Sequence, residues 1–216
     1  MHSEVGTVAE ARISIFDMKK SILSSFLPFL AFLIAACSPA DRSESSGLSP
    51  EQESFWATVS ELCGNAYEGV LADATPFYDS FRVDQIRIHV RACSDDLIHI
   101  SLHLDDNHSR NLLLSKADGT LRLKHDHRNR DGTEEAITQY GGDAPKPGLE
   151  HRQIFVADAH TASILPHRHD NFWYIHLMDE NTLSYGNYWP EAGNSIRMEF
   201  DLANPIDPPP APWGYE

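Results

Sequence analysis

The sequence predicts an all-β fold: an antiparallel, up-and-down β-barrel of about ten strands led by one short N-terminal helix. Three observations carry this. Apolar residues recur at every second position in several stretches, most cleanly Ile86, Ile88, Val90 and Ala92, then Ile98, Ile100, Leu102 and Leu104, and later Ile196, Met198, Phe200 and Leu202. The residues between them are polar, so each stretch has one buried and one wet face. The stretches follow one another through reversals rich in Asp, Asn and Gly: Asp118-Gly119, Asn129 to Gly132, Gly141-Gly142 and Asp179-Glu180-Asn181. Many short strands in simple succession favour closure, because a closed sheet has no edge to aggregate.

The elements are taken in chain order. Residues 1–17 precede Met18-Lys19-Lys20 and read as an extension before the true start. Met18 to Ala36 has a positive start and a short apolar run interrupted by Ser24, Ser25 and Pro28. Such a run suits a signal segment better than a span of about 20 residues. It ends Ile34-Ala35-Ala36-Cys37, and this resembles the lipobox of a bacterial lipoprotein signal. The resemblance implies cleavage before Cys37, acylation of Cys37, and Ser38 directing the protein to the outer membrane, facing the periplasm. The membrane is then a partner through the acylated Cys37. Residues 37–49 are a polar tether.

The single domain is expected over 50–216. Ser49-Pro50-Glu51-Gln52 carries an N-cap, a proline suited to the first turn and a capping-box partner, so a helix is read over 50–63. Phe55, Val59 and Leu62 share one of its faces. Strands are read at 65–73, 83–92, 97–104, 110–116, 120–128, 135–140, 151–157, 171–178, 182–189 and 195–202. The connection Asp158 to His169 has room for a helical turn. Asp207 to Trp213 is a proline-rich tail expected on the surface.

Charge and cysteine content bound the function. The net charge is -15, from 32 acidic and 17 basic residues, so no nucleic-acid partner is expected. Of three cysteines, Cys63 and Cys93 remain after Cys37. In an oxidising compartment an even pair reads as a disulfide.

Leu121-Arg122-Leu123-Lys124-His125-Asp126-His127, Asp131-Gly132, Tyr140-Gly141-Gly142, and Phe200-Asp201-Leu202 with Pro208 to Gly214 resemble an uncharacterised family of bacterial secreted proteins and lipoproteins. That family implies no activity and no catalytic residues. The strand count and leading helix are also similar to calycin (lipocalin-like) barrels. Tyr67-Glu68-Gly69 lacks the Gly-x-Trp of lipocalins.

Histidine is the richest source of chemistry. His125 and His127 lie two apart on one strand and share a face with Leu121 and Leu123, so both should point inward. They are candidate metal ligands, for zinc or for haem iron, or else partners of the following turn. Arg87, His89, Arg91 and His103, with His99, form a positive face across one hairpin and are candidate ligand-binding residues; the alternative is a solvated outer face. His160, His167 and His169 share a loop. Phe172, Trp173, Tyr174, Tyr185, Tyr188 and Trp189 either line a cavity or fill a core. No hydrolase, nucleotide-binding or zinc-protease motif is present. The expected function is that of a membrane-anchored periplasmic lipoprotein holding a small apolar or amphipathic ligand. The alternatives are a structural lipoprotein with a filled barrel, and a metal-dependent hydrolase or isomerase built on the histidines.

Overall fold

The computed structural model describes residues 47–215. The expectations for residues 1–36, for Cys37 and for most of the 37–49 tether lie outside the described residues. Helix α1 spans Pro50–Glu61. Ten strands follow: β1 (Ala66–Ala74), β2 (Ile86–Cys93), β3 (Leu97–Leu104), β4 (Asn107–Ala117), β5 (Thr120–His127), β6 (Tyr140–Asp143), β7 (Arg152–Val156), β8 (Phe172–Asp179), β9 (Thr182–Trp189) and β10 (Asn194–Ile206). All pairings are antiparallel, in the order β6-β5-β4-β3-β2-β1-β10-β9-β8-β7. The protein is therefore an all-β, nearly closed barrel-like sheet.

The seam lies between β6 and β7, not between the first and last strands. Ladder bonds do not join these two edges. Instead the Asp158 N–H donates to Gly141 O (2.9 Å), and the Thr161 hydroxyl bonds both the N–H and the carbonyl of Gly141 (2.8 Å each). Thr161 sits in α2 (Ala159–Ile164), capped by Asp158. The approach requires bare backbone: a Cβ on Gly142 would lie 1.8 Å from Val156 O, and Gly141 has φ 138°.

The sequence placed a strand over 135–140, whereas β6 begins at Tyr140. Its central Gly-Gly pair has no side chains to alternate, so the pattern was silent where the strand is. A 3-10 helix at Pro76–Phe81 was also not anticipated.

Alternating strands define two ends. At one end α1 closes the barrel. Ser49 makes the capping box with Gln52. Phe55 and Val59 are fully buried in the core, and the Gln52 amide donates to Thr120 and to Ala144 O. Burying two such side chains stabilises by roughly 1.5–3 kcal/mol each. The Cys63–Cys93 disulfide, with Cα atoms 6.2 Å apart, ties the second residue after α1 to the end of β2. Below the helix lies a packed aliphatic core that includes Ile88, Ile98, Leu114, Leu121 and Leu123. The other end is covered by the 76–81 helix and by the 157–171 connection, and it is hollow.

Candidate functional site: a cavity at the histidine end of the barrel

Residues alternating inward near the ends of β4, β5, β8 and β9 surround a cavity of about 320 Å³. It lies at the small end of the range for ligand sites and has room for about ten waters. A larger, more open depression of about 610 Å³ on the outside is lined by Glu68, Asp84, Glu199 and Asp201 among others. No basic side chain lines it.

On β5 the phase is the expected one. Leu121, Leu123 and His125 are buried and face in; Arg122 pairs with Asp143 (2.5 Å) and Lys124 with Asp158 on the outside. His125 has both ring nitrogens engaged. Nδ1 lies 3.1 Å from Tyr140 O and Nε2 2.6 Å from the Tyr185 hydroxyl. The Tyr140 ring stacks on it with centroids 4.5 Å apart and planes at 9°. His127 Nε2 bonds the Tyr140 hydroxyl (3.0 Å), and its Nδ1 lies 3.6 Å from Glu135. Burial pushes His125 down to about 3, helped by the neighbouring His127, and burial with Arg110 pushes His127 down to about 4. Both rings are neutral at pH 7. Burial also raises Tyr140 to about 12 and Tyr185 well above its ordinary value, so both stay protonated donors.

This geometry bears on the metal expectation. His125 and His127 bond tyrosines and a carbonyl; His127 Nδ1 also lies 3.6 Å from Glu135, but among the described residues the two rings and a third His, Asp or Glu do not bring their ligand atoms together. Among the described residues one such cluster brings its ligand atoms within 4.8 Å, namely His169, Asp170 and Glu191 in a largely exposed loop. Of the three loop histidines only His169 joins it. A zinc or haem iron at His125 would have to displace the bonds to Tyr140 and Tyr185.

Two arginines at the cavity were not singled out from sequence. Arg110, on β4, lies over the Phe81 ring (5.1 Å) and donates to Ser109. Arg168 lies over Phe77 (5.0 Å) and Trp189 (5.4 Å). The inward phase of Leu112 and Leu114 already implied Arg110. Arg168 comes from a loop and had no such signal. Of the six candidate aromatics, Trp173 and Tyr185 line the cavity. Phe172, Tyr174 and Tyr188 line an outer depression, as the period of two requires. Tyr78, from the unanticipated 3-10 helix, donates to Asn187 Oδ1 (2.7 Å) across the cavity.

The second candidate patch lies on the outer face of β2 and β3. Arg87 is opposite His103, as expected, and a bulge brings Ala92 opposite His99. This face is covered by the chain itself. The tail crosses it: Arg91 donates to Tyr215 O (2.8 Å), the His99 and Tyr215 rings lie 4.5 Å apart, and the Trp213 N–H donates to His108 O (3.1 Å). The Tyr215 hydroxyl donates to Asp126 (2.8 Å), which also accepts from Arg128 and Gln139. Burial alone would raise Asp126, but these three donors outweigh it and lower it. His99 and His103 are consequently buried. His103 Nδ1 bonds His108 Nδ1 (3.0 Å), and burial with that neighbour pushes His103 to about 3. Thus the tail lies on Arg91 and His99 through Tyr215, and beside His103 through Trp213 stacked on His108. A free ligand there would have to lift the tail.

None of the family models, curated proteins or solved structures compared with the chain matches it.

Proposed function

We propose that the protein is a lipid-anchored lipoprotein of the bacterial cell envelope that holds a small amphipathic ligand in its barrel. The anchor rests on the lipobox-like Ile34 to Cys37, and the outer-membrane destination on Ser38. The ligand reading rests on one observation: the barrel contains a cavity of about 320 Å³, rather than side chains throughout, at the end where polar groups converge. Leaving a hollow this size empty forfeits packing contacts. A structural lipoprotein with a filled barrel has no use for it. Trp173, Tyr140 and Tyr185 offer flat apolar surface, while Asn187, His127 and the arginines orient a polar end.

The test is native mass spectrometry of the detergent-solubilised protein from membranes, with metal analysis of the same sample. A stoichiometric small-molecule adduct that is lost in a Tyr185→Trp variant, whose larger ring narrows the cavity and removes the hydroxyl facing His125, is the expected result. A bare mass in both proteins, with no binding of added apolar probes, rules it out. A Cys37→Ala variant should be unprocessed or released; its recovery as a mature membrane protein would refute the anchor.

A further inference from the structure

The charge around the cavity is opposite to that of the molecule. The chain carries 32 acidic residues and a net charge of -15, yet among the described residues no Asp or Glu lines the cavity wall, Glu135 standing behind His127, and two arginines do line it. Neither Arg110 nor Arg168 forms an ion pair with a carboxylate among the described residues, although Arg82, Arg122, Arg128 and Arg197 all do. Arg168 Nε is shielded from solvent and has no hydrogen-bond partner. Each guanidinium instead lies over aromatic rings, 5.0 to 5.4 Å from their centroids; Arg110 donates to Ser109 and Arg168 meets the Tyr78 hydroxyl, while Arg168 Nε keeps no acceptor among the described residues. The shielded Arg168 Nε–H without an acceptor costs free energy, and an anion in the cavity removes that cost. The deeper wall is apolar and aromatic, with Leu102, Met198 and Trp173. His125 and His127 are neutral there, so the positive charge at pH 7 belongs to the arginines.

Resting on the ligand-carrying reading above, we infer that the ligand is a small carboxylate with a flat apolar body, its carboxylate paired by Arg110 and Arg168 at the cavity mouth and its body lying along Trp173. A single negative charge suits this site better than a phosphate dianion, because desolvating the second charge beside the apolar wall costs more. The volume excludes long-chain amphiphiles lying fully inside. The acidic exterior slows the approach of free anions, so selection falls to the paired arginines rather than to long-range steering.

The test uses two probes of equal shape, 3-phenylpropanoate and the neutral 3-phenylpropanamide, titrated calorimetrically into the full-length detergent-solubilised protein. The acid should bind about tenfold to a hundredfold tighter than the amide, the range for a charge-assisted pair. Arg168→Gln and Arg110→Gln should each bring the ratio towards one while amide affinity stays within about twofold, and Arg168→Lys should restore part of it. Added salt should weaken the acid and leave the amide unchanged. Equal binding of acid and amide to the wild type overturns this inference and leaves the cavity reading standing. So does an unchanged ratio in both glutamine variants, or displacement by inorganic phosphate at lower concentration than the acid. Binding of neither probe overturns both.

Discussion

The two ends of the barrel solve opposite problems with the same strands. At the α1 end the inward positions are aliphatic or aromatic apart from Gln52, whose buried amide is bonded to Thr120 and Ala144, and the helix contributes Phe55 and Val59 to a continuous core. At the other end the same inward phase carries Arg110, His125, His127 and Tyr185, and a cavity remains between them. β5 shows the change within one strand: Leu121 and Leu123 are fully buried among aliphatics, and two residues later His125 begins the polar set. The difference teaches that stability and binding are divided along the barrel axis. The packed end makes the domain cooperative, so the hollow end can hold buried polar groups, and arginines with no carboxylate partner, without unfolding it.

If that division holds, damage to the packed end is global. Phe55→Ala should lower stability by about 3–5 kcal/mol, because both the transfer term and the cavity term apply at a fully buried site. Thermal unfolding should then shift down by roughly 2–4 °C for each kcal/mol. A shift no larger than that of a surface substitution would show that α1 is a dispensable lid. Cys63→Ser with Cys93→Ser should cost roughly 3–4 kcal/mol for a loop of this length. Two thiols titrating in the native, unreduced domain would remove the bond from the account.

At the hollow end effects should be smaller and local. Tyr185→Phe deprives His125 Nε2 of its partner and should cost about 1–3 kcal/mol, with probe binding changed more than the melting curve is. A loss as large as that of Phe55→Ala would mean that this end is core after all. The mildest test is pH. His103 and His125 are neutral in the folded protein, with values near 3, against about 6.5 for a free ring. Protons therefore favour the unfolded chain. The stability contributed by the neutral rings is complete above about pH 6.5, falls with pH below it, and is gone near 3. Going from pH 7.5 to 6 should remove less than about 1 kcal/mol for each histidine. His125→Gln should flatten this slope by about one proton; an unchanged slope would place the ring in solvent.

Sequence made the packed end legible and the hollow end only partly so. Alternation located β2, β3 and β10 because each has one apolar and one polar face. The same rule turned His125 and His127 inward. It failed at β6, where Gly141 and Gly142 pair with Lys124 and Leu123 by backbone alone. It could not find Arg168, since a loop residue reaches the cavity through the path of 157–171 rather than through a period. Nor could it show that Tyr215 would lie against Asp126, far away in the chain. The outer face of β3, which reads as wet, lies under this tail, with Tyr215 on His99 and Trp213 on His108 beside His103, and His99, Ser101 and His103 are all buried.

The position of the seam has a kinetic consequence. In a meander whose gap lay between first and last strands, every ladder would be a local hairpin and closure would come at no topological cost. Here the gap falls between β6 and β7, and β1 pairs with β10 from opposite ends of the domain, Gly69 against Phe200. One ladder therefore bears the loop-closure entropy of nearly the whole domain, while the other eight join sequence neighbours. Contacts of that separation slow folding more than they alter stability. Two hairpin stacks, β1 to β6 and β7 to β10, should thus form first, and their union along β1 and β10 should set the folding rate.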